Sequence, residues 1–130
     1  MGNQESTSKP PEPENIILND RKLKKLPFTP SKESPIKNLY LSGNIFKTLP
    51  KYLKNVIMID LTKNKLGPSL PIRISEALST YTSLKQLYFT QNRLEDLNNL
   101  KNSSVSTIFL GQNRLYQLPD QFFANFPELQ

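Results

Sequence analysis

The side chains that most often move protons or attack bonds at neutral pH are missing here: the 130 residues include no histidine and no cysteine. The commonest nucleophile–base pairs and nitrogen–sulfur metal sites therefore cannot be assembled, and no cofactor or metal is implied. Glu95-Asp96, an adjacent acidic pair, reads as a solvated turn. No Gly-rich phosphate loop, kinase motif or phosphatase Asp cluster occurs. What recurs instead is amide and aromatic chemistry. Asn44, Asn64, Asn92 and Asn113 stand 20, 28 and 21 residues apart. A carboxamide carries both donors and an acceptor, so it can satisfy backbone groups that have lost water. Tyr40, Tyr88 and Phe109 each lie four residues before one of these asparagines. Aromatic rings on a rigid support are the usual anchors of a protein-binding surface.

The asparagines belong to a repeat. The segments IKNLYLSGNIFKTLP from Ile36, VIMIDLTKNKLGPSLP from Val56, LKQLYFTQNRLEDL from Leu84 and VSTIFLGQNRLYQLP from Val105 all fit L-x-x-L-x-L-x-x-N-x-L, with Ile, Val or Phe for some leucines. A degenerate first copy, NIILNDRKLKKLP, has Ile16, Leu18, Leu23 and Leu26 in frame, with Arg21 at the Asn place and Pro13 in the first apolar slot. The alternation L-x-L is that of a strand with one buried face. One copy cannot bury its apolar side alone, so successive copies must stack.

This pattern resembles the leucine-rich-repeat family, in the intracellular form that lacks cystine caps, over residues 15–130. The resemblance implies an α/β solenoid with a parallel concave sheet and short helical or 3₁₀ convex returns. It would hold about five repeats plus the start of a sixth at Phe126-Pro-Glu-Leu129-Gln. The third copy has the longest insert. Ile74, Ala77, Leu78 and Tyr81 lie there at helical spacing, with Ser75 in place to cap a short helix. The second copy has room only for an extended or 3₁₀ return. Phe46, Leu66, Leu94 and Leu115, the pre-proline Leu49, Leu70 and Leu118, and the cluster Phe122, Phe123 and Phe126 are expected inside. Asn55 and Asn98, outside the frame, are expected to matter little.

The same frame says which side chains stand on the concave face. The central row is Ile17, Tyr40, Asp60, Tyr88, Phe109 and Gln130. The row before it is Asn15, Asn38, Met58, Gln86 and Thr107, and the row after it Asn19, Ser42, Thr62, Thr90 and Gly111. The resemblance implies recognition through this sheet, which makes Tyr40, Asp60, Tyr88, Phe109, Asn38, Met58 and Gln86 the expected partner-binding residues. The other reading of the aromatics is strand propensity and cross-strand packing.

The net charge of +6 is uneven: residues 1–65 carry 12 Lys/Arg against 6 Asp/Glu, and residues 66–130 carry 5 against 5. The concave positions are nearly balanced in sign and no basic stripe interleaved with aromatics appears, so nucleic acid is not the expected partner. Residues 1–14, rich in Pro, Glu, Ser and Lys, read as a disordered tail. That tail begins MGNQES, which matches the N-myristoylation signature at Gly2. One acyl chain anchors weakly, and Arg21, Lys22, Lys24 and Lys25 can supply a second, electrostatic contact to an anionic membrane. Without cysteine a cystine-stapled secreted module is excluded, and a cytoplasmic setting, at the cytoplasmic face of a membrane if Gly2 is acylated, is the expectation. The function expected is a non-catalytic scaffold binding a protein partner. The alternative is the targeting end of a longer signalling enzyme, such as a metal-dependent Ser/Thr phosphatase, with this chain a fragment of it.

Overall fold

A computed structural model of the chain describes residues 12–116, 118 and 122–129. Gly2 and Gln130 lie outside them. Five three-residue strands are described: β1 (Asn15–Ile17), β2 (Asn38–Tyr40), β3 (Met58–Asp60), β4 (Gln86–Tyr88) and β5 (Thr107–Phe109). They form one parallel sheet in sequence order, β1-β2-β3-β4-β5. The register aligns Ile17, Tyr40, Asp60, Tyr88 and Phe109 in one row and Asn15, Asn38, Met58, Gln86 and Thr107 in another, as the repeat frame requires.

Each strand turns its middle residue inward. Leu39, Ile59 and Leu87 are fully buried, as are Leu41, Leu61 and Phe89 two residues on. Phe46, Leu66 and Leu94 close the interior from the far side of the turn. Burial weakens at the last copy: Ile108, Leu110 and Leu115 are only partly covered, and Leu118 is 41% exposed. Leu118 was expected inside. Among the described residues β5 is an edge strand, so this copy has a packing neighbour on one side only.

The return segments differ as their lengths dictate. The second copy returns in extended and turn conformation. The longer third copy forms α1 (Ile72–Ser79), with Ile74, Ala77 and Leu78 buried and Tyr81 buried just beyond it. Ser75 does not cap α1. Pro71 holds that position and offers its carbonyl to the N–H groups of Ile74 and Ser75. Ser75 lies buried within the helix, its hydroxyl donating to Ile72 O at 3.1 Å. Burial pushes the Tyr81 hydroxyl above its ordinary pKa, and this hydroxyl donates to Pro50 O of the preceding copy. The fifth return holds a 3₁₀ turn, Phe123–Asn125. Phe122 and Phe126 pack into the core, with Phe122 meeting Phe126 at a centroid distance of 5.1 Å. Phe123, also expected inside, is 64% exposed: it makes an edge contact with Phe122 but points away from the core.

The asparagines close every turn in the same way. Asn64 Nδ2 donates to Leu41 O of the preceding copy (2.9 Å), while its Oδ1 accepts from Phe46 N (3.0 Å). Asn92 Nδ2 reaches Leu61 O and Phe89 O, and its Oδ1 accepts from both Asn64 N and Leu66 N at 2.9 Å. Asn113 bonds Phe89 O, Leu110 O and Leu94 N. Asn44 serves the first copy, which has Arg21 in place of an asparagine: its Oδ1 accepts from Arg21 N and Leu23 N, and its Nδ2 donates to Leu18 O. The residue before each turn position, Asp20, Gly43, Lys63, Gln91 or Gln112, has a left-handed backbone with φ between 56° and 72°. The first four of these donate their N–H forward, to Ser42, Thr62, Thr90 and Gly111 O.

A second set of staples lies on the return side, out of the repeat frame. Buried Asn102 donates to Leu78 O (2.7 Å) and Tyr81 O (2.9 Å), and its Oδ1 accepts from Ser104 N and Val105 N. Asn55, expected to be dispensable, is half-buried and donates to Ser34 O at 2.8 Å. The chain reversal before each of these strands needs a tie to an earlier segment, which the two amides supply. That need, and not the repeat, fixes these two residues.

We expect Asn64→Ala, Asn92→Ala and Asn102→Ala each to lower unfolding free energy by about 2 kcal/mol or more, since each strands several buried backbone groups at ~1–3 kcal/mol per group. Asn98→Ala, at an exposed turn, should stay within about 0.5 kcal/mol of wild type. Urea unfolding read by circular dichroism decides this; an Asn102→Ala midpoint equal to that of Asn98→Ala would show that the return-side staple does not form.

Candidate functional site

The concave face is built by the outward residues of the five strands. Their positions are fixed by the ladder on one side and the buried middle residues on the other. Its central row runs Ile17, 62% exposed, then Tyr40, Asp60 and Tyr88, all half-buried, then Phe109, 39% exposed. Tyr88 and Phe109 face each other on adjacent strands and stack with ring centroids 4.3 Å apart and planes 7° from parallel. The stack presents one continuous aromatic surface. The rings pack on each other across the strands and still offer area to solvent.

Asp60 sits between Tyr40 and Tyr88 in this row. One carboxylate oxygen accepts from Thr62 N at 2.9 Å, which fixes the side chain and leaves the acid half-exposed. The flanking row is polar at its start, where Asn38 Nδ2 donates to Asn15 Oδ1 at 2.8 Å. Gln86 is exposed and Thr107 half-buried. Met58 departs from expectation. It stands in the outward row between Asn38 and Gln86, yet it is only 8% exposed and lies outside the main core cluster. A long apolar side chain lies down against its neighbours where a short polar one would stand off, so Met58 packs into the face and leaves little of itself exposed.

The structure thus brings Tyr40, Asp60, Tyr88, Phe109, Asn38 and Gln86 onto one surface and withdraws Met58. Arg21, Lys22, Lys24 and Lys25 are all exposed in the first turn and return, away from the concave rows. Ile17 is the face's most exposed apolar residue, and a single aliphatic side chain at the end of a row of rings gives little sequence signal of its own. Among the described residues no three His, Cys, Asp or Glu side chains converge as metal ligands, and no helix is long and apolar enough to cross a membrane.

Comparison with known proteins bears on the fold. Osteomodulin of Rattus norvegicus, a leucine-rich-repeat protein, is 30% identical over 120 residues, covering 89% of this chain. With its single parallel sheet and asparagine turns, the chain has the fold of a leucine-rich-repeat solenoid. It spans only 27% of osteomodulin's length. No family model matches the chain, and no solved structure does either. The row-forming outward residues, which the buried positions do not dictate, are what distinguish one solenoid's surface from another.

The Tyr88–Phe109 stack is measurable. Tyr88→Ala and Phe109→Ala should each cost modest stability, and the double variant should cost less than their sum, with a coupling of about 0.5–1.5 kcal/mol. Strict additivity in a double-mutant cycle would mean that the rings do not touch in solution.

Proposed function

We propose that this repeat domain is a non-catalytic scaffold that binds a protein partner through the concave sheet, with Tyr40, Tyr88 and Phe109 as anchors. The observation that carries the reading is the stacked pair at 4.3 Å beside a fixed, half-exposed carboxylate. Rings held on strands lose little freedom when a partner covers them, so most of the burial is retained as affinity. Asp60 between the aromatics favours a partner that offers an apolar side chain beside a Lys or Arg. Asn38 and Gln86 at the rim suit hydrogen bonding to a partner's backbone or amides, in the arrangement of a polar rim around an apolar centre. The reading includes tethering of residues 1–14 to an anionic membrane through acylated Gly2, aided by Arg21, Lys22, Lys24 and Lys25, on the cytoplasmic side.

Affinity capture with the tagged chain tests the face. Replacing Tyr40, Tyr88 and Phe109 together by Ala should weaken retention of the specific partner by about thirtyfold, the equivalent of ~2 kcal/mol, while Lys47→Ala on the return side should not. If the triple variant, folded by circular dichroism, retains the same partners as strongly as wild type, recognition does not use this face.

The tether has its own test. The wild-type chain, expressed in a eukaryotic cell, should sediment with vesicles containing anionic lipid, and Gly2→Ala should leave it soluble. Replacing Lys22, Lys24 and Lys25 by Gln should weaken sedimentation without changing the acylated mass. Raising salt should weaken it too, because surface charges are screened over ~8–10 Å near physiological ionic strength. An intact mass showing unmodified Gly2 or retained Met1 ends the tether and leaves the concave face untouched.

A further inference from the structure

The turn edge of the solenoid carries a second surface, set apart from the aromatic row. Residues flanking the ladder asparagines line a groove of about 450 Å³ over the third, fourth and fifth copies. Lys63, Lys65, Arg93 and Arg114 stand around it, with Gln91 and Gln112 between them. All four cations are exposed. The ion pairs among the described residues are Lys37–Glu14 and Lys54–Glu33, so these four have no carboxylate partner. Adjacent parallel strands lie about 4.8 Å apart, so three rungs bring four positive charges within roughly 10 Å along the edge.

Two features mark this edge as preorganised. Lys63, Lys65, Gln91 and Gln112 all hold left-handed backbone, with φ of 56° to 58°. In the second copy the place of Lys63, Gln91 and Gln112 is taken by Gly43, which adopts φ 72° without a side chain to strain. Asp20 fills that place in the first copy with φ 58°, and the third, fourth and fifth copies carry long side chains there although neither Lys nor Gln is suited to that conformation. The arginines, in turn, are held by their backbones: Arg93 N donates to Leu66 O at 2.6 Å and Arg114 N to Leu94 O at 2.8 Å. A Cβ on Gly67 would lie 2.0 Å from Arg93 O, which shows how closely the two copies are pressed together there.

We propose that this groove binds a compact polyphosphate, of the inositol polyphosphate class. Two guanidinium forks take phosphate oxygens in bidentate fashion, two ammonium groups add point charge, and the glutamine amides supply neutral donors. Charges on one side of an extended acidic peptide repeat at about 6.6 Å, out of step with rungs at about 4.8 Å. Among the described residues no aromatic side chain lines the groove, so a nucleobase would find no stacking platform. A ring bearing several phosphates concentrates its charge in the volume the groove offers. The ligand is either free in solution or the headgroup of a lipid, and the same contacts serve both.

Calorimetric titration of the 130-residue chain with inositol hexakisphosphate, at about 0.15 M salt, should give saturable one-to-one binding. Lys63→Gln, Arg93→Gln and Arg114→Gln combined should weaken it by about tenfold or more. Lys32→Gln, Lys47→Gln and Lys51→Gln combined remove the same charge elsewhere and should leave it unchanged; all six positions are exposed, and melting curves verify the fold. Equal weakening by both triple variants, no saturable binding, or tighter binding of a single-stranded oligonucleotide than of inositol hexakisphosphate overturns the proposal. Vesicles then assign the source. Binding to phosphatidylinositol bisphosphate but not to phosphatidylserine at matched charge supports a lipid headgroup. Binding of the soluble probe with neither vesicle supports a free ligand. Equal binding to both vesicles overturns specificity for clustered phosphate.

Discussion

The asparagine carboxamide at each turn is the interaction on which the other features depend. A three-residue strand forms too few backbone bonds to hold a sheet, and a chain that reverses every 20 to 28 residues leaves N–H and C=O groups stranded at each bend. One side chain meets both difficulties. Asn92 donates to the ends of β3 and β4 at once and accepts from two N–H groups of the third copy's turn. Three of its bonds therefore cross from copy to copy, and neighbouring copies cannot shift in register without breaking several buried hydrogen bonds together. Buried polar groups left in that state are costly, so the ladder acts as a register lock as much as a source of stability.

From that lock follows the geometry of both surfaces. On the concave side it sets the outward rows, and so brings Tyr88 onto Phe109 although 21 residues separate them in the chain. On the turn edge it sets the residues before and after each asparagine, and so gathers Lys65, Arg93 and Arg114 into a column. Neither surface is local in sequence. Each is a periodic sample of it, taken at a phase chosen by the asparagine. A solenoid can for that reason vary one surface without disturbing the other, because the sampled positions do not overlap and the buried positions are shared by both.

What could be read in the sequence was whatever repeats. The strands, their order, their register and the ladder all recur, and their positions follow from aligning the copies. What recurs nowhere stayed hidden. Asn102 and Asn55 satisfy single bends on the return side, one below α1 and one before β3, and no second copy advertises them. Ser75 has the composition of a cap, but Pro71 already ends the preceding segment and starts α1, which leaves Ser75 one turn inside. Met58 occupies an outward slot by frame and a covered one by shape, because alternation gives the direction of Cβ and not the path of a flexible side chain. Leu118 and Phe123 fit the apolar pattern and are exposed, because pattern records what a position would bury against a neighbour and not whether one is present.

The distribution of charge shows the same separation of roles. Excess positive charge lies in the first half of the sequence, yet the groove over the third to fifth copies takes Lys63 and Lys65 from that half and Arg93 and Arg114 from the other. Lys37 and Lys54 are drawn off by Glu14 and Glu33 in ion pairs that are largely exposed and so contribute little to stability. The later half is neutral in sum, but three of its five acids, Glu76, Glu95 and Asp96, belong to the return side, Asp96 accepting from Ser69, while Arg93 and Arg114 follow ladder asparagines on the turn edge. Net charge along the chain is thus a poor guide to field on the surface of a solenoid. The chain passes through each face once per repeat, and the potential at a face is decided by phase within the repeat, the same phase that the asparagine sets.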